Sequence, residues 1–324
     1  MSTPEKSAAR DASIAPPTAS LSRRDFVRLI GAGSAGLAAG LAACSRATEE
    51  AAVNAAASGA SASGSMASAA VSGNADPTPL GIQLYTVRNA LQADPAGVLM
   101  ELGRIGYREV ETAGTAGKTA AEFRAMMTRA GLTSPAGHYP IERMRSDMAG
   151  VIAEARTLGQ RWIVCPWLGE DARTAAGYRA LAADLNTAGA AARDAGMRVA
   201  YHNHDFEFRT PEGGRGFDTL LAETDSALVD FEMDLYWITK AGGRPLDYFA
   251  KYPGRFPLVH VKDMSASGAF ADVGAGTIDF AGIFAQAGRG GVQHYFVERD
   301  DAPSAADPLA SARASFTALR RLRA

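Results

Sequence analysis

Four stretches in the second half of the chain end in side chains that can move protons or hold a cation: YHNHDFEF (Tyr201–Phe208), FEMDLYW (Phe231–Trp237), LVHVKDM (Leu258–Met264) and YFVERD (Tyr295–Asp300). Alternation along an extended strand puts His202 and His204 on one face, Glu232 and Asp234 on one face of the next, and His260 and Lys262 on one face of the third. Glu298 is the first charge after Tyr295-Phe296-Val297. A lone histidine or acid at a strand end is usually a solvated loop group. Four strands ending the same way weigh differently, because burying several such groups is costly unless something pairs them. A divalent metal is an economical partner, and two imidazoles with two carboxylates make a mixed N and O shell that suits Mn²⁺, Fe²⁺, Co²⁺ or Zn²⁺ better than Ca²⁺.

These side chains need a scaffold that brings strand ends together. Eight short β-rich runs are expected as strands: Gly81 to Val87, Tyr107 to Thr112, Leu132 to His138, Trp162 to Pro166, Met197 to His204, Leu228 to Leu235, Pro257 to Asp263 and Val292 to Glu298. Helical patterns lie between them at Pro95 to Ile105, Ala120 to Ala130, Met148 to Leu158 and Tyr178 to Ala195, with weaker ones at Phe217 to Glu223, Pro245 to Lys251, Phe280 to Ala287 and Pro308 to Leu322. Gly106, Gly131, Gly159, Gly196 and Gly288 stand where helix C-caps would. Strand and helix alternating eight times is the pattern of a single (β/α)8 TIM barrel over residues 79–324, ahead of a doubly wound open sheet. Such a barrel gathers active residues at the C-terminal ends of its strands.

The first 78 residues read as something else. Gly31, Gly33 and Gly36 in LIGAGSAGLAAG (Leu29–Gly40) spell a dinucleotide fingerprint, yet no second strand follows to carry the ribose-binding acid, so neither NAD nor FAD is expected. Ser22-Arg23-Arg24-Asp25-Phe26 resembles a twin-arginine export motif, and Leu41-Ala42-Ala43-Cys44 resembles a lipobox. Residues 1–44 are therefore expected to be a signal with a lipid anchor at Cys44. Residues 45–78, rich in Ala, Ser and Gly, are expected to be a tether. The expected location is the periplasm, with membrane contact only through the anchor. A formal net charge of −2 and no basic patch beyond the signal argue against a nucleic-acid partner. A homo-oligomer is left open.

The ordered set GIQLYTVR, GYREVE, YHNHDFEF, FEMDLYW, HVKDM, VGAGTIDF and VERD resembles the sugar phosphate isomerase/epimerase family of xylose isomerase-like barrels, over about Leu80 to Arg320. The resemblance implies one divalent metal, foremost Mn²⁺, with Zn²⁺, Co²⁺, Fe²⁺ and Mg²⁺ as alternatives. Its ligands in the family come from strands five to eight as Glu, Asp, His and Glu. Asp234, His260 and Glu298 match the last three, and His202 stands where the family has Glu. The chemistry implied is proton abstraction next to a carbonyl whose oxygens the metal polarises. Family epimerases pair the strand-five and strand-eight carboxylates as acid and base, so His202 unsettles a simple two-base epimerisation. His202 is then either a base or a ligand, with Glu298, His204, Glu207 or Lys262 moving protons. Lys262 would add positive charge toward the same oxyanion, or else be solvated or paired with Asp263.

Glu111 and His138 are candidates for binding substrate hydroxyls, as is Glu207, and Trp237 is placed to stack on a sugar face. Gly274, Gly276 and Asp279 read as a tight turn rather than a phosphate cradle. Export makes a phosphorylated substrate improbable, so the expectation is an isomerase or epimerase acting on a free carbohydrate or cyclitol. A keto-sugar lyase or hydratase on the same scaffold is the near alternative, and a non-catalytic carbohydrate-binding lipoprotein a more distant one.

Overall fold

A computed structural model describes residues 79–209, 214–301, 307 and 309–323. The expected export signal, the anchor at Cys44 and the tether lie outside the described residues. Eight parallel strands close into a barrel in chain order: Leu80–Gln83, Glu109–Thr112, Thr133–His138, Trp162–Cys165, Arg198–His202, Val229–Asp234, Leu258–Val261 and His294–Val297. We number them one to eight. The first pairs with the eighth, Gly81 opposite Phe296, which closes the sheet on itself.

Helices follow the strands where the apolar periodicity places them. Asp94 caps Pro95–Ile105 by accepting the Gly97 N–H at 2.9 Å, and Thr119 and Glu122 form a reciprocal capping box on Ala120–Arg129. The helix expected from Met148 begins at a kink: Ile141–Leu158 is broken at Asp147 (φ −151°, ψ 57°), whose carboxylate accepts the Gly150 N–H. Gly106, Gly131, Gly159 and Gly196 all take positive φ after their helices. Gly288 does not; it lies within the short helix Ala287–Gly290, and Gly291 (φ +80°) takes the left-handed position instead.

Two apolar layers hold the barrel. The larger fills the space between strands and helices, and a smaller one of Ala136, Trp162, Val164, Ala200, Leu258 and Phe296 forms a floor inside it. Phe296 fits there because Gly81 has no side chain: a Cβ at Gly81 would stand 2.5 Å from Phe296 Cδ1. Gly81→Ala is therefore expected to destabilise the barrel by about 1–3 kcal/mol, read as a lower urea midpoint at unchanged slope. Beneath the floor, at the start of the strands, Asp230 accepts from Trp162 Nε1 at 2.9 Å and pairs with Arg198, whose Nη2 lies 2.7 Å from Asp230 Oδ1.

The seam between the first and last strands is latched at the mouth. Buried Arg88 donates to the Tyr85 carbonyl and to the Asp300 carbonyl, each at 2.9 Å, and the Arg299 N–H reaches Thr86 Oγ1 at 3.2 Å.

Candidate active site

Strand five ends at His202, two residues earlier than the sequence suggests. The turn is drawn by Glu207, which is fully buried: Tyr201 Oη donates to Glu207 Oε1 at 2.6 Å and the His204 backbone N–H donates to Oε2 at 2.8 Å. Both carboxylate oxygens are thus committed behind the strand, so the expected substrate-binding role of Glu207 is replaced by a structural one. His204 is brought back toward His202 by this turn, their ring centroids 4.8 Å apart.

Burial pushes the Glu207 carboxyl up to about 7, against the lowering effect of those hydrogen bonds. The folded protein therefore holds this proton more tightly than the unfolded chain, where the group titrates near 4.5. Stability is expected to fall by up to about 3 kcal/mol as pH rises from about 4.5 through about 7. Glu207→Gln can keep the His204 N–H on its amide oxygen while its amide N–H donates to Tyr201 Oη in the reverse sense, and it should remove that component, seen as a flatter difference curve in urea unfolding across the same pH range.

Strands six to eight build the upper part of the mouth. Asp234 caps the helix Leu235–Lys240 with Oδ1, accepting from the Tyr236 and Trp237 N–H groups at 2.9 Å, while its own N–H donates to Asn203 Oδ1. Asp234 Oδ2 is left facing inward, 2.8 Å from Lys262 Nζ. Lys262 is fully buried, and its ammonium also lies 2.6 Å from Glu298 Oε2 and 3.1 Å from Asp300 Oδ1. The expected alternatives for Lys262, solvation or a pair with Asp263, give way to this arrangement. Asp263 instead accepts from the N–H groups of Gly274 and Gly276 at 2.9 Å and Ile278 at 3.2 Å. The glycine loop thus wraps a carboxylate of its own chain, and Asp279 caps the helix Phe280–Ala285.

Below this lies a buried layer of acids and imidazoles. His260 Nδ1 is 2.8 Å from Glu298 Oε2, and its Nε2 is 2.7 Å from Glu111 Oε2 and 3.1 Å from Glu232 Oε2. His138 Nε2 lies 3.1 Å from Glu232 Oε2 and 3.2 Å from Glu111 Oε2. Gln83 Nε2 donates to Glu111 Oε2 at 2.6 Å. Burial opposes charge on His138, yet the Glu111 and Glu232 carboxylates outweigh it and raise its pKa to about 9. Burial likewise opposes charge on His260, and Glu232 and Glu298 hold it well above the usual imidazole range. For His202 burial, then the neighbouring His260, outweigh the Glu298 carboxylate and hold it well below that range.

The donor set fits a divalent metal. His202, Asp234, His260 and Glu298 each offer a ligand atom, and these atoms lie within 4.8 Å of one another. His202 Nε2 is buried without a hydrogen bond and faces Asp234 Oδ2, whose one close partner is the Lys262 ammonium at 2.8 Å, so donor atoms are left there for a cation. A second set, His138, His202, Glu232 and His260, meets the same limit.

Two residues of the site, Gln83 and Asp300, escaped the sequence reading, and Glu232 was placed on the face of Asp234 without a role of its own. Glu232 was legible from the ladder, since it stands opposite His202 in register. Trp237 is half-buried at the rim, its ring 5.5 Å from Lys262 Nζ, with Trp167 on the other side of His204 at 4.8 Å. No described helix is long and apolar enough to cross a membrane.

A closed parallel barrel with histidines and acids gathered at its mouth defines a known class, and the chain belongs to the xylose isomerase-like TIM barrel family, whose pattern matches residues 101–322. Among individual relatives, an inosose dehydratase of Clostridium botulinum (strain Alaska E43 / Type E3) is 30% identical over 152 residues, covering 41% of this chain and 50% of the relative. One from Clostridium perfringens is 31% identical over the same length. The chain thus spans about half the length of the curated relatives it matches. A sugar phosphate isomerase/epimerase from Parabacteroides distasonis superposes with a TM-score of 0.64 at 25% identity, covering 79% of this chain and 98% of that one. A probable 3-DHS dehydratase from Bacillus anthracis shares the fold, with a TM-score of 0.60 at 14% identity over 75% of this chain and 98% of that one.

Proposed function

We propose that the protein is a metal-dependent lyase that removes water from a non-phosphorylated keto-sugar or cyclitol ketone. The observation that carries this reading is the buried ammonium of Lys262, held beside Asp234 and Glu298 where a carbonyl oxygen would gain charge. His202, Asp234, His260 and Glu298 would hold the metal. When bound, it supplies Lewis-acid polarisation of the carbonyl and adjacent hydroxyl.

In this reading Glu298 takes the proton from the carbon next to the carbonyl. The C–H electron pair becomes the C=C bond of an enolate, whose oxyanion Lys262 Nζ stabilises by a charged hydrogen bond. Collapse of the enolate expels hydroxide from the neighbouring carbon. His204, between the two indoles at the rim, gives the proton that makes it water. Trp237 covers the apolar face of the ring.

Elimination is favoured over the epimerase expectation on two grounds. His202 replaces one member of the carboxylate pair that a two-base exchange uses, and the relatives from Clostridium carry the name inosose dehydratase. The restriction to unphosphorylated substrates rests on the export reading of residues 1–44. Fractionation of cells making the full chain or Cys44→Ala tests it: the full chain should stay with membranes and the variant should be released with the periplasm.

The activity test is incubation of the Mn²⁺-loaded protein with a panel of keto-sugars and inososes in D₂O, followed by mass spectrometry. Loss of one water is expected, with one deuterium entering next to the new carbonyl as the enol left by elimination ketonises. A deuterated product of unchanged composition would return the reading to an isomerase, and absence of both product and exchange across the panel would remove both.

A further inference from the structure

His202 and His260 each turn one ring nitrogen toward the mouth and the other toward the barrel floor. On the mouth side, His260 Nδ1 lies 2.8 Å from Glu298 Oε2 and 3.8 Å from Asp234 Oδ2, and His202 Nε2 lies 3.9 Å from Asp234 Oδ2. On the floor side, His260 Nε2 lies 2.7 Å from Glu111 Oε2, and His202 Nδ1 lies 3.2 Å from Glu232 Oε2. All six side chains are buried to 1% exposure or less. The two imidazoles therefore divide the acids into an upper pair, Asp234 and Glu298, and a lower pair, Glu111 and Glu232.

A neutral imidazole carries one N–H and one lone pair, and a carboxylate beside one nitrogen draws the hydrogen there. We propose that Glu111 and Glu232 are positioning residues that fix which nitrogen each metal-binding histidine presents. His260 has a carboxylate at each nitrogen, and a metal on the Glu298 side would leave its hydrogen on Nε2 with Glu111; Glu232, 3.2 Å from His202 Nδ1 though outside hydrogen-bond alignment, would draw that ring's hydrogen there, leaving His260 Nδ1 and His202 Nε2 as ligands. This rests on the metal reading above and deepens it.

The lower pair is itself held from behind. Gln83 Oε1 accepts the Tyr85 backbone N–H at 3.0 Å, so its amide cannot flip without losing that bond, and Nε2 is committed to Glu111 Oε2. His138 lies against both Glu111 and Glu232 and keeps them together. Glu111, expected to bind a substrate hydroxyl, is thereby assigned to a histidine instead.

The experiment uses Mn²⁺ and Zn²⁺ alone as probes on the full-length protein. Manganese binding is followed by the loss of the free-ion electron paramagnetic resonance signal in wild type, Glu111→Gln and Glu232→Gln. Each variant should bind Mn²⁺ about 10–100-fold more weakly while keeping its far-UV circular dichroism. Nitrogen-15 imidazole spectra of the wild-type Zn²⁺ complex provide a reading that needs no variant. They should show His260 bound through Nδ1 with its hydrogen on Nε2, and His202 bound through Nε2. Wild-type affinity in both variants overturns the proposal. So does a Zn²⁺ complex ligated by His138 and by His260 through Nε2, the alternative set that includes Glu232. A wild-type protein that takes up neither ion removes the metal reading itself, an outcome distinct from the other two.

Discussion

Lys262→Met is expected to lower turnover by about 10²–10³-fold at saturating Mn²⁺, the cost of losing one donor to a developing oxyanion. Methionine keeps the length and flexibility of the stem and removes only the ammonium. The same substitution acts on stability, because Asp234, Glu298 and Asp300 then confront one another without the cation that now lies within 3.1 Å of all three. Breaking a buried charge cluster from one side costs about 3–5 kcal/mol, and the metal-free variant should unfold at correspondingly lower urea. Added Mn²⁺ should recover part of that loss, since it supplies positive charge at the same carboxylates. The two effects separate cleanly. A variant destabilised without metal but as active as wild type when loaded would make Lys262 a structural counter-ion and remove its role at the oxyanion.

Asp230→Ala is expected to cost about 3–5 kcal/mol with no direct effect on the mouth. Asp230 is one of the few acids at the opposite end of the strands, where its carboxylate receives Trp162 Nε1 and the Arg198 guanidinium together. Removing it strands a buried indole N–H and a half-buried cation, and opens a gap beside the aromatic floor of the barrel. Unfolding in urea measures the loss. Metal affinity, extrapolated to the folded protein, should stay at the wild-type value; a parallel loss would mean that the floor and the mouth are mechanically coupled through strand six, which carries Asp230, Glu232 and Asp234 in succession on one side.

Much of this architecture was legible because a parallel barrel repeats one simple pattern. Seven of the eight strands sit inside the β-rich runs and the first starts one residue early, at Leu80, while Pro95–Ile105 and Pro245–Lys251 keep the expected bounds, each started by a proline in its first turn. The errors cluster where a side chain hydrogen-bonds its own backbone. Gly81 to Val87 reads as one strand, yet Gln83 captures the Tyr85 N–H and turns Leu84–Val87 into a 3₁₀ helix. Glu207 shortens strand five in the same way, so His204 reaches the site by a turn rather than by alternation. Hydropathy cannot register either event. Gln83 was invisible as a site residue because a neutral amide carries no chemical signature of its own. Asp300 was hidden in the charge run Glu298-Arg299-Asp300-Asp301, where only the fold tells which acid points inward.

The Arg88 latch has a bearing on the order in which the molecule can assemble. Its two carbonyl partners, Tyr85 and Asp300, belong to the first and last loops of the mouth, and the longer of the two contacts spans 212 residues of chain. Contacts of such separation form late, after most of the loop-closure entropy has been lost. His202, Asp234, His260, Lys262 and Glu298 stand on or just beyond the contiguous strands five to eight and can be in place on a barrel that is still open at its seam, while the contact of Glu111, on strand two, with His260 cannot. The carboxylate behind His260 arrives only once the first and last strands have met, so a histidine held from that side is also a report that the barrel has finished closing.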